Sequence, residues 1–290
     1  MNFGFSTNTS RKIKVDMHVH SIYSERPVDG PLSYIGCMES YTDPETIYRK
    51  CKQQGMDLVT ITDHNRIDGV MELIANYPED VITGVEATTY FPEDGCKIHL
   101  LIYGFTPAQF QTINALRKNI YDLRGYLVHE NLMHSVAHAN SVVDNSLLNQ
   151  EHIEKLLVLF NHFEVVNGST NLNRNRSLLK MLEDLRIQPE LVYKLADKYG
   201  IETAGDIPWI KSMLGGSDDH AGLFIGRTYT EFSLDEGADF FSAFRNGQSK
   251  GYGWQCIGHW WAVTIFFVGL KFISNEILLT KRGYTLLPIM

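Results

Sequence analysis

Asp16-Met17-His18-Val19-His20-Ser21 follows an apolar run that begins at Ile13, and this stretch decides the fold. On an extended strand, side chains two apart point to one side, so His18 and His20 can present both imidazoles to a single ion. Neutral imidazole is a ligand for zinc, iron and manganese-type ions. A lone H-x-H pair also fits a solvent-facing strand. What separates the two readings is whether other ligand-type residues recur at the ends of apolar runs.

They do. Ile13–Val19, Leu58–Ile61, Val81–Val85, Ile98–Tyr103 and Phe163–Val166 are short and rich in Val, Ile and Leu, as buried strands are. Pro44–Gln54 and Ile113–Glu130 carry the spaced apolar residues and mixed charges of helices, and Gly55 suits a helix C-terminus. Strands alternating with helices predict parallel pairing in a barrel or a doubly wound sheet. His18, His20, Asp63, His64, Glu86 and His99 each stand on or just after such a strand. In a parallel barrel the strand ends converge on one face, so groups far apart in sequence meet in space.

Three further motifs add to the pair. Thr62-Asp63-His64-Asn65 closes the second strand, and Gly84-Val85-Glu86 sets a carboxylate after a buried one, where an unpaired charge is expensive and a metal ion supplies the missing partner. Gly215-Gly216-Ser217-Asp218-Asp219-His220 places two carboxylates and an imidazole behind a glycine pair.

The bulk numbers agree with a globular α/β protein. In 290 residues, 44% are hydrophobic and 21% charged, so neither disorder nor a membrane protein is the default. A net charge of -8 gives no general attraction to nucleic acid. Cys37, Cys51, Cys96 and Cys256 lack the close spacing of a zinc ribbon or a redox motif, and reduced thiols in a cytoplasmic protein are expected. The opening residues lack the apolar core of a secretory signal. Trp260 to Leu270 is too short for a span that needs about 20 apolar residues.

In the order D-x-H-x-H-S, T-D-H-N, G-x-E, H, A-H and S-D-x-H, the chain from Lys14 to Thr230 resembles the PHP family, the polymerase and histidinol phosphatase domains. Glu39-Ser40-Tyr41-Thr42-Asp43-Pro44 and Tyr90-Phe91-Pro92-Glu93-Asp94-Gly95 look like the branch sometimes joined to glycosyltransferase domains. The resemblance implies a distorted (β/α)7 barrel with two or three divalent ions, manganese, iron or zinc, at the C-terminal ends of its strands. It implies metal ligation by His18, His20, His64, Glu86, His99, His138, Asp218 and His220, with Glu86 bridging two ions. Glu25 stands where many relatives carry Asp or His and is expected to reach the cluster as a further metal ligand, and Ala139 replaces a frequent proline after the A-H pair, which leaves His134 as a rival to His138. His129, His152, His162 and His259 match no motif.

The function expected is hydrolysis of a phosphate mono- or diester by a metal-activated hydroxide, with Glu86, Asp218 and His220 at the reaction and Arg26, Arg66 and Arg227 on the phosphate. A C–N hydrolase and a non-catalytic metal-binding module are the alternatives. Specificity is expected in the loops Ser21–Tyr41, Phe91–Lys97 and Asn167–Asn175. Residues 1–250 are read as the hydrolase domain. Residues 251–290 are read as a helical extension, packed on the barrel or at an oligomer contact. The partner expected is a small phosphorylated substrate.

Overall fold

The computed structural model describes residues 11–24, 26–28, 31–141, 147–256 and 260–281. From the N-terminus come β1 (Arg11–Val15), α1 (Pro44–Gln53), α2 (Asp68–Asn76), β2 (Gly84–Tyr90), β3 (Lys97–Tyr103), α3 (Pro107–Leu116) and α4 (Ile120–His129). Then follow β4 (Met133–Val136), α5 (Gln150–Leu159), β5 (His162–Asn167), α6 (Leu172–Ile187) and α7 (Glu190–Tyr199). The last elements are β6 (Ser212–Gly216), β7 (Thr228–Leu234), α8 (Phe240–Arg245), β8 (Ser249–Gly253) and α9 (Trp260–Lys281).

Helix ends follow local chemistry. The Asp43 carboxylate accepts the Thr46 amide and Pro44 takes the first turn of α1, while Gly55 closes it at φ 78°. The single helix expected over Ile113–Glu130 is two. A Thr106–Gln109 capping box starts α3 six residues earlier, and the Asn119 side chain accepts the Tyr121 amide to begin α4.

The α/β class is as the sequence predicts, but strand pairing is mixed. One sheet runs β2-β3-β4-β5-β6 and a second runs β1-β7-β8. β4, β5 and β6 are parallel, whereas β2, β3 and β4 pair antiparallel, as does the whole second sheet. Only six residues separate β2 from β3, too few for the crossover that parallel pairing requires. Residues 58–64 form isolated bridges at Val59↔Val81 and His64↔Glu86 in place of a full strand, and Val19 bridges Asp219.

These bridges matter because they join the segments at one mouth. The Thr62 amide donates to the Val19 carbonyl, the His20 amide to Asp219 and the Glu86 amide to Asp63. Strand alternation then sorts the side chains. On β3, Leu100 and Ile102 pack outward against Ile113, Leu123 and Leu127, while Leu101 and Tyr103 face the inner core of Met17, Leu214 and Phe244. Burying each such aliphatic chain contributes about 1.5–3 kcal/mol. The Tyr103 hydroxyl donates to the Met17 carbonyl at 2.7 Å, so the floor leaves no polar cost there.

α9 lays Val268 against Val28, Cys37 and Ala221. Among the described residues, no helix is long and apolar enough to cross a membrane. The four cysteines are buried and unbridged.

Gly216 is a close-approach glycine: a Cβ there would lie 2.4 Å from His18 Cβ and 2.7 Å from the His18 backbone nitrogen. Gly216→Ala is therefore expected to cost about 1–3 kcal/mol in urea unfolding, as overpacking does. Gly125→Ala, in α4 with open space around it, should instead gain about 0.5–1 kcal/mol. Equal midpoints for the two variants would contradict this packing.

Candidate metal centre

The site is built from strand ends and the loops beyond them. Glu86 reaches the inner face of β2 because its neighbours Val85 and Ala87 pack outward. Its carboxylate is 1% exposed. One oxygen lies 3.1 Å from His18 Nε2, 3.2 Å from His20 Nε2 and 3.3 Å from His64 Nδ1. The other lies 2.7 Å from His99 Nδ1 and 3.1 Å from His138 Nε2. Asp218 joins from beyond β6, with one oxygen 3.5 Å from His18 Nε2 and 3.4 Å from His20 Nε2. His220 Nδ1 donates to the Asp218 carbonyl at 2.9 Å.

The structure thus brings together His18, His20, His64, Glu86, His99, His138, Asp218 and His220. Glu25 lies outside the described residues, as does His259. His134 turns its Nδ1 to the Leu132 carbonyl beside Phe160 and stands apart from the cluster. His152 pairs with Asp94, His162 packs on Phe244, and His129 is exposed beside Glu130.

Two carboxylates that the motifs did not mark complete the arrangement. Glu39, from the loop before α1, lies 3.6 Å from His64 Nε2, 3.4 Å from His220 Nε2 and 3.7 Å from His20 Nδ1. No local pattern betrays it, because its burial is created by neighbours distant in sequence. Glu164 on β5 accepts His18 Nδ1–H at 3.0 Å, the His138 amide at 3.0 Å and the Asn167 side chain at 2.9 Å. Its signal was legible: a single carboxylate inside the apolar run Phe163–Val166, the same reasoning that marked Glu86.

Four groups of ligand-type atoms lie within 4.8 Å of one another: His20, Glu39, His64 and His220; His18, His20 and Glu86; His18, His138 and Asp218; and His64, Glu86 and His99. Their chemistry fits divalent ions. Glu164 takes the Nδ1 proton of His18, which leaves the Nε2 lone pair facing His20 Nε2 at 3.1 Å and the oxygens of Glu86 and Asp218. Acceptors so arranged need positive charge between them, from a metal ion or from protons. His64 Nδ1 and His99 Nδ1 are buried with no hydrogen-bond partner, although each lies close to a Glu86 oxygen.

Among themselves the side chains settle this with protons. Burial alone would push His20 down, but Asp218 and Glu86 outweigh it and raise it to about 10. His18 is likewise held well above its ordinary value against burial, by Asp218, Glu164 and Glu86. Burial holds His64 well below, helped by the nearby His99 and His20. Burial would raise Glu86, yet the imidazoles of His64, His99 and His18 keep it well below the usual carboxylate range.

Other carboxylates serve the frame. Asp16 accepts the amides of Ser217 and Gly226, each at 2.8 Å. Asp63 accepts the Ser21 amide and hydroxyl, each at 2.6 Å. Asp219 accepts the Leu223 and Phe224 amides. His138 and Asp218 sit at φ 29° and 50°, where a non-glycine residue persists only when its surroundings over-determine it; here the Glu164 carboxylate and the His18 carbonyl hold their amides.

A cavity of about 600 Å³ opens over the cluster. Arg26 lines it, with Nε 3.7 Å from Glu39. Arg66 instead pairs with Asp68 at 2.9 Å, and the Arg227 guanidinium lies beside the stacked rings of Phe224 and Trp254, 5.9 and 5.7 Å from their centroids. Neither is among the residues that line the cavity, where Arg174 of α6 stands. The loops 21–41 and 167–175 contribute to its wall. Loop 91–97 does not, since Phe91 is buried against Tyr121 and His152.

Comparison with known proteins agrees with this picture. Residues 209–249, which include Asp218 and His220, match the family model described as PHP-associated. An 80-residue stretch is 32% identical to an uncharacterized protein of Methanocaldococcus jannaschii, covering 27% of this chain and 45% of that protein, so the chain matches less than half of the relative's length. The fold is similar to a two-domain protein from Bacteroides vulgatus containing a predicted PHP-like metal-dependent phosphoesterase, with TM-score 0.51 and 16% identity over 85% of this chain and 66% of that one. PsfC from Pseudomonas syringae aligns over 92% of this chain and 99% of its own, with TM-score 0.47 and 15% identity.

Asp218, Glu164 and Glu86 raise His18, and Asp218 and Glu86 raise His20, so a metal ion, which needs the neutral imidazoles, competes with protons at both. Affinity therefore rises with pH, about tenfold per unit for each proton displaced. Calorimetric titration of manganese into chelator-treated protein at pH 6.5, 7.5 and 8.5 should show this slope, and a flat profile would contradict it.

Proposed function

We propose that this chain of the PHP family is a metal-dependent phosphoesterase. The observation that carries the reading is Glu86: one buried carboxylate surrounded by five imidazoles at the base of an open cavity. Such mixed imidazole and carboxylate sets suit manganese, iron or zinc, and the overlap of the groups supports a reading with two or three ions. On this reading the ring of contacts from β2 through residues 62–64 and 18–20 to β6 forms the mouth of a (β/α)7 barrel. His18, His20, His64, Glu86, His99, His138, Asp218 and His220 would hold divalent ions, which would supply Lewis acidity and a water acidified for attack on phosphorus.

The chain's own residues do the rest. Glu86 contributes negative charge shared by two ligand groups and sets their spacing. Asp218 is fixed in orientation, because His18 and His20 approach one oxygen and the Asn167 amide donates to the other at 3.1 Å. His220, 20% exposed, is the most accessible imidazole of the cluster; its Nδ1–H donates to the Asp218 carbonyl, which leaves Nε2, 3.4 Å from Glu39, as the atom available to an ion. Arg26 and Arg174 bring positive charge to the wall of an acidic protein's cavity, where a phosphate needs it. Ser169 and Thr170, just before α6, add hydroxyls on the same side.

A panel of p-nitrophenyl phosphate, bis-p-nitrophenyl phosphate, nucleotides and simple amides tests the reading on manganese-, iron- and zinc-loaded protein. Turnover of a phosphate ester and none of the amides is expected. Amide turnover alone would move the site to C–N hydrolysis.

Glu86→Gln keeps volume and loses charge. Its kcat/KM on the best ester should fall by more than about 100-fold, the scale for losing an electrostatic group at a reaction centre, and its metal content should drop. His129→Ala, on the exposed end of α4, should match the wild type in both. Full metal and near-normal turnover in Glu86→Gln would overturn the bridging role.

A further inference from the structure

The helix α9 gives the cavity a wall of its own. Thr264, Ile265 and Val268, at helical spacing on one stripe, line the cavity together with Val28, Phe224 and Cys256. Thr264 carries the single hydroxyl of this group. The β5–α6 loop adds polar lining, Ser169, Thr170 and Asn171, and residues of the cluster line the same cavity. The cavity therefore combines apolar and polar lining.

The stripe continues into anchors that fix the helix. Lys271 Nζ donates to Thr42 Oγ1 at 2.8 Å, Phe272 packs on Tyr41 with ring centroids 6.1 Å apart, and Val268 is wholly buried. Thr42 and Tyr41 belong to the same loop that delivers Glu39 to the cluster. The apolar wall and one edge of the candidate metal centre are thus a single packed unit, and the wall is preformed.

Resting on the phosphoesterase reading above, we infer that α9 makes this site select phosphate esters whose alcohol carries a compact apolar group, aryl or branched alkyl. That group lodges against the partly exposed Ile265 and Phe224 while the phosphate meets the cluster. A polyol in the same place would lose water against Ile265 and Phe224 with no donor or acceptor in return, which is unfavourable for each buried hydroxyl. A volume of about 600 Å³ falls in the range of sites that enclose a whole small molecule, well beyond a phosphate group alone.

The test is binding, so that it does not depend on turnover. Calorimetry on the manganese-loaded full chain compares phenylphosphonate with methylphosphonate, for the wild type and for Ile265→Asn and Ile265→Ala. Far-UV circular dichroism and metal content are measured alongside. The wild type should favour phenylphosphonate by about tenfold or more, the scale of discrimination in an apolar pocket. The ratio should collapse toward one in Ile265→Asn and fall partway in Ile265→Ala, whereas general damage to the fold would weaken both ligands together. If Ile265→Asn does not fold, Ile265→Ala decides by the same ratio. Equal affinity of the wild type for both phosphonates overturns the apolar wall and leaves the phosphoesterase reading in place. Failure of the loaded wild type to bind either overturns both.

Discussion

A carboxylate taken out of water is tolerated only when its charge is met from several sides, and Glu86 imposes that condition on the whole molecule. The imidazoles that meet it come from residues 18, 20, 64, 99 and 138, so stretches spread over more than a hundred residues must converge within hydrogen-bonding distance of one side chain. The His64↔Glu86 bridge and the Glu86 amide's bond to the Asp63 carbonyl are the backbone side of the same requirement. Without this convergence, the inner end of the sheet would hold uncompensated charge above a floor of Leu101, Tyr103 and Phe244.

Holding so many ligand-type groups in one orientation takes a surrounding layer of fixed polar contacts. Glu164 sets the tautomer of His18 and also holds the His138 amide, so one carboxylate places two imidazoles from different strands. Asp16, Asp63 and Asp219, each next to or near a histidine in the motifs, spend their oxygens on backbone and hydroxyl donors of the loops. These carboxylates keep the loops rigid while their neighbours face the cluster. The positive φ of His138 and Asp218 is affordable for the same reason.

Around this centre the cavity acquires different walls from different parts of the chain. The β5–α6 loop brings hydroxyls, α6 brings Arg174, the loop before α1 brings Glu39 and Arg26, and α9 brings aliphatic side chains. Because Lys271 and Phe272 tie α9 to Thr42 and Tyr41, the C-terminal helix bears on the same loop that supplies Glu39. Composition at the wall and geometry at the base are mechanically connected.

By itself, the sequence determined the class of fold and most of the cluster. His18, His20, His64, Glu86 and His99 were legible because each is a polar residue set at the end of an apolar run, and burial of such a residue demands a partner whatever the topology. The sequence did not determine pairing direction, since an apolar run has the same composition in a parallel or an antiparallel strand; the six residues between β2 and β3 decided it. Proximity along the chain also misled for Arg66 and Arg227, which neighbour the motifs yet are engaged by Asp68 and by two aromatic rings. Glu39 and Arg174 lie inside the loops where specificity is expected, but their roles were decided by tertiary structure: Glu39 meets His20, His64 and His220 from three separate segments, an approach that no local spacing encodes.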